Sequence, residues 1–164
     1  MESYIVINGK KAPLTEEQLK MLGIETEKKN PLKRCEHHER YYHIDCFGKV
    51  NEACEDKHKV DADLYEIANY CTDKNLMRQR AWHETLSRLL WRYSMEHDGD
   101  KIDWKNKNEW KYYIYFNFDD NKYAVDFNRF IKDSSVYFHT GEIAQKAIKE
   151  IVKPFMAEHP DFVW

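Results

Sequence analysis

Two stretches of this chain repeat apolar residues at the helical period, and each follows an aromatic, β-prone run. A fold must therefore bury two helix stripes and two sheet faces together. The first helix is expected at about 73–96, capped by Thr72 or Asp73 and closed by Asp98-Gly99-Asp100. On a wheel of about 100° per residue, Leu76, Trp82, His83, Leu86, Leu89, Leu90 and Tyr93 form one arc, read as the core face. Met77, Arg78, Glu84, Arg88, Trp91 and Arg92 fall on the other side. The second helix starts after Thr140 with the stripe Ile143, Ala144, Ala147, Ile148, Ile151, Val152 and Phe155. Pro154 should kink or end it, having no N–H to donate and a ring that crowds residue 150. Phe155, Met156, Phe162, Val163 and Trp164 should tuck the tail against the body.

The strands read as follows. Tyr41-Tyr42-His43-Ile44 leads to a Phe47-Gly48 turn and a return at Lys49-Val50, with residues 51–63 a charged loop. Residues 64–71 alternate enough for a half-buried strand. A second hairpin runs through Trp110 to Phe118, a turn at Asp119-Asp120-Asn121, and Tyr123 to Phe127; Val136-Tyr137-Phe138 adds a short strand. At the start of the chain, Tyr4 to Ile7, an Asn8-Gly9 turn, a Thr15–Gln18 capping box and a Gly23 stop predict a strand, turn and short helix. The expected fold is α+β: an N-terminal unit at 1–24, a linker at 25–40, and a main domain at 41–164. Within that domain, two β-hairpin–strand–helix modules, 41–97 and 104–164, pack on each other.

Composition narrows the function classes. Hydrophobic residues at 42% and aromatics at 15% argue against disorder despite 34% charged residues. No apolar run is long enough to span a bilayer, and Met1-Glu2-Ser3-Tyr4 lacks a signal peptide's features. A cytoplasmic setting with four free thiols is therefore expected. A net charge of −3 argues against whole-protein attraction to nucleic acid, while the scattered acids do not suit a DNA mimic.

The residues that could carry chemistry are few. Cys35, His37, His38, His43, Cys46, Cys54 and His58 are zinc-type ligands, with His43-x2-Cys46 and Cys54-x3-His58 as ligand-like pairs. The pairs are only seven residues apart, which matches no family spacing and leaves open whether His43, Cys46, Cys54 and His58 bind zinc. No metal site and no cofactor is assigned. Cys71 and His83 lack an orienting third group, His83 reading instead as a core histidine. His83-Glu84 lacks the second histidine of a zinc-protease motif, since position 87 is Ser87. There is no phosphate-binding glycine loop and no Gly-x-Ser-x-Gly elbow. With no catalytic residue to name, a binding protein is the expectation. Arg78, Arg88, Trp91 and Arg92 on the outer face of the first helix are the leading partner-binding residues, being of the types enriched at hot spots. The competing reading makes Trp91 a second packing layer. Lys101, Trp104 and Lys105, within the segment Lys101 to Lys111, form a second candidate surface.

Several stretches carry a family resemblance. Asn69-Tyr70-Cys71-Thr72-Asp73-Lys74, His83-Glu84-Thr85-Leu86, Arg88 through Ser94, and the ending Lys153-Pro154-Phe155 to Trp164 resemble a family of small proteins in phages and prophages of Gram-positive bacteria. The opening Asn8-Gly9-Lys10 and Leu14 to Leu19 are similar too. The resemblance spans nearly the whole chain, but its motifs carry no known chemistry, and residues 35–58 contribute no cysteine or histidine to it. It implies an accessory protein of the bacterial host cytoplasm that binds host machinery. An anti-defence protein of anti-CRISPR type, occluding a Cas nuclease or another defence component stoichiometrically, is the leading expectation. A nucleic-acid-binding regulator and a virion assembly component are the alternatives.

Overall fold

The computed structural model describes residues 4–7, 10–22 and 30–164, and the chain divides into two compact units, Met1–Lys33 and Arg34–Trp164. In the first unit, β1 (Tyr4–Ile7) pairs antiparallel with β2 (Lys10–Pro13), Ile7 opposite Lys10, and α1 (Glu16–Met21) follows. The capping box forms as its residue types predict. The Gln18 N–H donates to Thr15 Oγ1 at 3.3 Å and the Thr15 N–H donates to Gln18 Oε1 at 2.9 Å. The predicted Asn8-Gly9 turn and Gly23 stop lie outside the described residues.

The second unit is α+β with small antiparallel sheets. β3 (Arg40–Ile44) and β4 (Val50–Cys54) form a hairpin registered from Arg40↔Cys54 to Ile44↔Val50. Its turn is held by Asp45, whose Oδ1 accepts the N–H groups of Phe47 and Lys49, while Gly48 takes φ +80°. Residues 34–40, expected in a linker, belong to this unit. So does α2 (Lys59–Glu66), a helix where a loop and the start of a strand were expected. The local alternation there loses to capping. Asp61 Oδ2 accepts the His58 N–H at 2.9 Å and fixes the first turn. Of the expected strand only Cys71 pairs, as an isolated antiparallel bridge to Tyr42.

Next comes α3 (Lys74–Glu96), capped by the Asp73 carboxylate, which accepts from the N–H groups of Asn75 and Leu76. Its end is close-packed: a Cβ at Gly99 would lie 2.6 Å from the Ser94 carbonyl oxygen. β5 (Lys111–Asn117) and β6 (Lys122–Asn128) make the second hairpin, and β7 (Tyr137–Phe138) pairs with β5, giving the order β6-β5-β7. The hydroxyl of Thr140 caps α4 (Gly141–Ala147) by accepting the Ile143 N–H at 3.2 Å. Pro154 does not end the helix. A π turn at Ile148–Val152 widens the backbone where the proline cannot donate, and α5 (Lys153–Glu158) continues. The tail returns to α3, where Gln79 donates to the Asp161 carbonyl at 2.7 Å and accepts the Val163 N–H at 3.0 Å.

Burial on α3 departs from the single arc of the wheel. Leu86, Leu90 and Tyr93 pack with Phe138, Ala144, Ala147, Val152, Phe155 and Phe162. Met77 and Ala81 pack instead with Ile44 and Cys71 against the first hairpin. Met77 and Leu86 are nine residues apart, about 180° around the helix, so α3 is covered on two opposed sides. Hence Met77 is 1% exposed although placed outside, while Leu76, placed inside, is 43% exposed. His83 is exposed as well. Denaturant titration should show Met77→Ala losing about 2–3 kcal/mol of stability, and Leu76→Ala less than about 0.5 kcal/mol.

Candidate protein-interaction face

The helix α3 outruns the hairpin that covers it. Its 23 residues extend about 34 Å, whereas five-residue strands reach only about 17 Å. Arg88, Trp91, Arg92 and Met95 come back within about 60° of the direction of Met77, two or more turns beyond Ala81. Among the described residues, the hairpin-side core takes Met77 and Ala81 from α3 and none of these four. Trp91 is 58% exposed and Met95 38%. The hairpin's turn ends beside this bare stretch, since a Cβ on Gly48 would touch Thr85 Oγ1 at 3.2 Å and Arg88 Nη2 at 3.8 Å. Phe47, in that same turn, is 83% exposed.

The cations here are weakly neutralised. Glu84 takes Arg80 at 2.8 Å and leaves Arg88 at 3.8 Å, and Arg92 stands 4.0 Å from Glu96. Exposed pairs this long add little stability and hold neither side chain firmly. The outcome is an unburied indole flanked by two exposed, loosely paired arginines, on a helix whose other side is fixed in the core. Trp91 is not a second packing layer.

The remaining candidates separate from this face. Arg78 donates to Asn75 and sits 5.6 Å from the Trp82 ring; it is about 20 Å along the axis from Trp91. Lys101 pairs with Asp98 at 2.7 Å, and the Lys105 N–H is held by Asp103 at 2.8 Å. Trp104 packs edge-on against Tyr137 at 5.0 Å, with Lys132 4.5 Å over its ring. Lys111 is buried, donating to the Asn106 and Glu109 carbonyls at 2.7 and 3.0 Å. Much of the 101–111 segment thus braces its own loop. Phe47 was overlooked in the sequence because a turn aromatic has no periodicity to mark it.

The cysteine and histidine region is organised by a polar corner at residues 55–58. Arg34 grips the buried Glu55 with two hydrogen bonds of 2.8 Å, and the Tyr70 hydroxyl donates to Glu55 at 3.0 Å. The Cys35 thiol meets that same hydroxyl at 2.8 Å. Tyr41 donates to Asp61 at 2.7 Å, and Asp61 accepts the Asp56 N–H at 3.1 Å. The Arg34 hydrogen bonds hold the Glu55 carboxyl down at about 2, against desolvation. Burial pushes the Tyr41 and Tyr70 phenols up, and burial with the neighbouring Asp56 pushes the Cys54 thiol up. Cys46 sits exposed in the hairpin turn, whereas His37, His38 and Asp56 converge. Cys71 is buried in the hairpin-side cluster. His83 instead lines a cavity of about 270 Å³ with Ser87, Leu90, Ile114 and Trp164. The two do not form a dyad.

Comparison of the chain with family models, curated proteins and solved structures finds no match. Among the described residues, no helix is long and apolar enough to cross a membrane.

Glu55 links this corner to pH. Its folded pKa, about 2, lies below the ordinary 4.5, so its stabilisation is complete above pH 4.5 and is lost as pH falls toward 2. Melting curves across that window should fall less steeply for Glu55→Gln, which starts from a lower melting temperature at neutral pH. Parallel pH dependences would show that the carboxylate does not carry the effect.

Proposed function

We propose that this chain is a phage-encoded accessory protein that acts by stoichiometric binding of a host protein rather than by catalysis. The specific reading is inhibition, in the bacterial cytoplasm, of a defence component such as a Cas nuclease. The observation that carries it is the bare end of α3, where Trp91 stands unburied beside Arg88 and Arg92, with the exposed Phe47 in the neighbouring hairpin turn. Tryptophan and arginine dominate binding hot spots because one buries a large apolar ring and the other makes several directed hydrogen bonds. The face suits a partner with an acidic rim and an apolar pocket. A rigid helix loses little entropy on docking.

The finer architecture is part of this reading: two hairpin–strand–helix modules packed on each other. Support comes from a shared pairing habit. In each hairpin the first strand takes up the segment that precedes the next helix, Tyr42 with Cys71 and Tyr112 with Phe138. In that arrangement the hairpins differ in how much of α3 they cover, which leaves the face free.

A nucleic-acid reading draws on the same residues, since an aromatic between arginines can stack on a base beside phosphates. A tagged pull-down from nuclease-treated lysate of a host with active CRISPR–Cas separates the two. The expected result is a defence protein recovered in equimolar amount. Trp91→Ala and the Arg88→Glu, Arg92→Glu double variant should each weaken it at least tenfold, about 1.4 kcal/mol, with unchanged circular dichroism. Full binding by the folded double variant would remove this face from the function. Capture that vanishes on nuclease treatment, with affinity falling steeply as salt rises, would favour nucleic acid.

A further inference from the structure

The polar corner places three metal-ligating side chains together that no sequence spacing links. The ligand atoms of His37, His38 and Asp56 all lie within 4.8 Å of one another. We propose that these three residues bind a first-row divalent cation of the zinc type, leaving a fourth coordination position open to solvent. The residue types are right for it, because two imidazoles and one carboxylate are borderline ligands of the kind zinc accepts.

The geometry supports the assignment at its tightest pair. His38 Nδ1 stands 3.4 Å from Asp56 Oδ1. That is longer than the about 2.7–2.9 Å of a charge-assisted hydrogen bond. It matches the edge of a tetrahedron whose centre lies about 2.0–2.1 Å from each ligand, an edge of about 3.3 Å. The His37 ring lies 3.7 Å from the His38 ring, centroid to centroid, so a small side-chain rotation brings in the third ligand. All three side chains are exposed.

The backbone under the site is set independently of any ion. His38 occupies a turn closed by the Glu39 N–H on the Glu36 carbonyl, at φ 70°, a left-handed conformation uncommon for residues other than glycine. Its own N–H donates to the Glu55 carbonyl at 2.8 Å. Asp56 is tied through its N–H to Asp61, which Tyr41 holds in turn. Both halves of the site therefore hang from the same corner, and the ligands are presented before a metal arrives. Such pre-organisation lowers the entropy that binding must overcome. The pairs suggested by spacing are not the ones assembled. His43 lies on β3 and Cys46 in the turn, and neither joins the cluster of three.

The test uses the full chain stripped with chelator and titrated with cobalt(II), followed by visible absorption and calorimetry. One equivalent should bind, with the weak visible bands of nitrogen and oxygen ligands and no intense thiolate-to-cobalt band. His38→Asn keeps a residue that tolerates the left-handed turn while removing the imidazole; with Asp56→Asn and His37→Ala it should weaken binding at least tenfold. The melting temperature of the metal-free variants should stay at the wild-type value, and Cys46→Ser should bind as wild type does. No stoichiometric binding at millimolar cobalt would overturn the proposal. So would a strong thiolate band, or loss of binding on changing His43 or Cys46 in place of His38. None of these outcomes depends on the proposed partner of α3.

Discussion

The second unit is built around the burial of α3 from two opposed sides. Leu86, Leu90 and Tyr93 are taken up by the C-terminal strands and helices, and Met77 and Ala81 by the first hairpin. Two polar ties fix the helix relative to what covers it. The Ser94 hydroxyl donates to the Tyr137 carbonyl at 2.6 Å, and the Tyr93 hydroxyl donates to Glu150 at 2.9 Å, reaching into the π turn. Apolar packing supplies the energy, and these directed bonds set the register. The exposed end of α3 follows from the same arrangement, because a short hairpin cannot shield a long helix.

A second constraint shapes the region before α3. Glu55 and Asp61 are buried carboxylates, and buried charge is tolerated only when it is paired and hydrogen-bonded. Arg34, Tyr70 and Tyr41 meet that demand, and in doing so draw residues 34–41 onto the hairpin and the start of α2. The stacked rings of Tyr41 and Tyr70, 4.0 Å apart, close the network over the apolar side. What reads as a basic linker in the sequence is thus tied down by ion pairing. The convergence of His37, His38 and Asp56 is a consequence of that tie.

Where local chemistry suffices, the chain was legible. Asp73 and Thr140 cap the helices expected of them, the Thr15–Gln18 box closes, and the aromatic hairpin at 111–128 lies near its expected bounds. Residues 59–66 misled: 59–63 read as charged loop, and the alternation over 64–71 covers too few positions to outweigh a capping carboxylate supplied at Asp61. Pro154 reads, from its missing N–H, as a kink or an end, and what forms is a distortion: a π turn over Ile148–Val152 ahead of it, with the helix continuing. Of the candidate face, Arg88, Trp91 and Arg92 could be named from residue type alone. Phe47 could not, since nothing local distinguishes an exposed turn aromatic from a buried one.

By itself the sequence determined the caps of α1, α3 and α4, the aromatic hairpin at 111–128, and the solvent-facing Arg88, Trp91 and Arg92. These depend on periodicity and side-chain chemistry within a few residues. Only the tertiary structure decided which sides of α3 are buried, because a wheel shows one amphipathic stripe and cannot count the partners that will cover it. It alone also decided which ligand-type side chains meet. His37 and His38 come to Asp56 through a buried carboxylate and an arginine 21 residues apart, a long-range pairing whose strength comes from desolvation that no local pattern records.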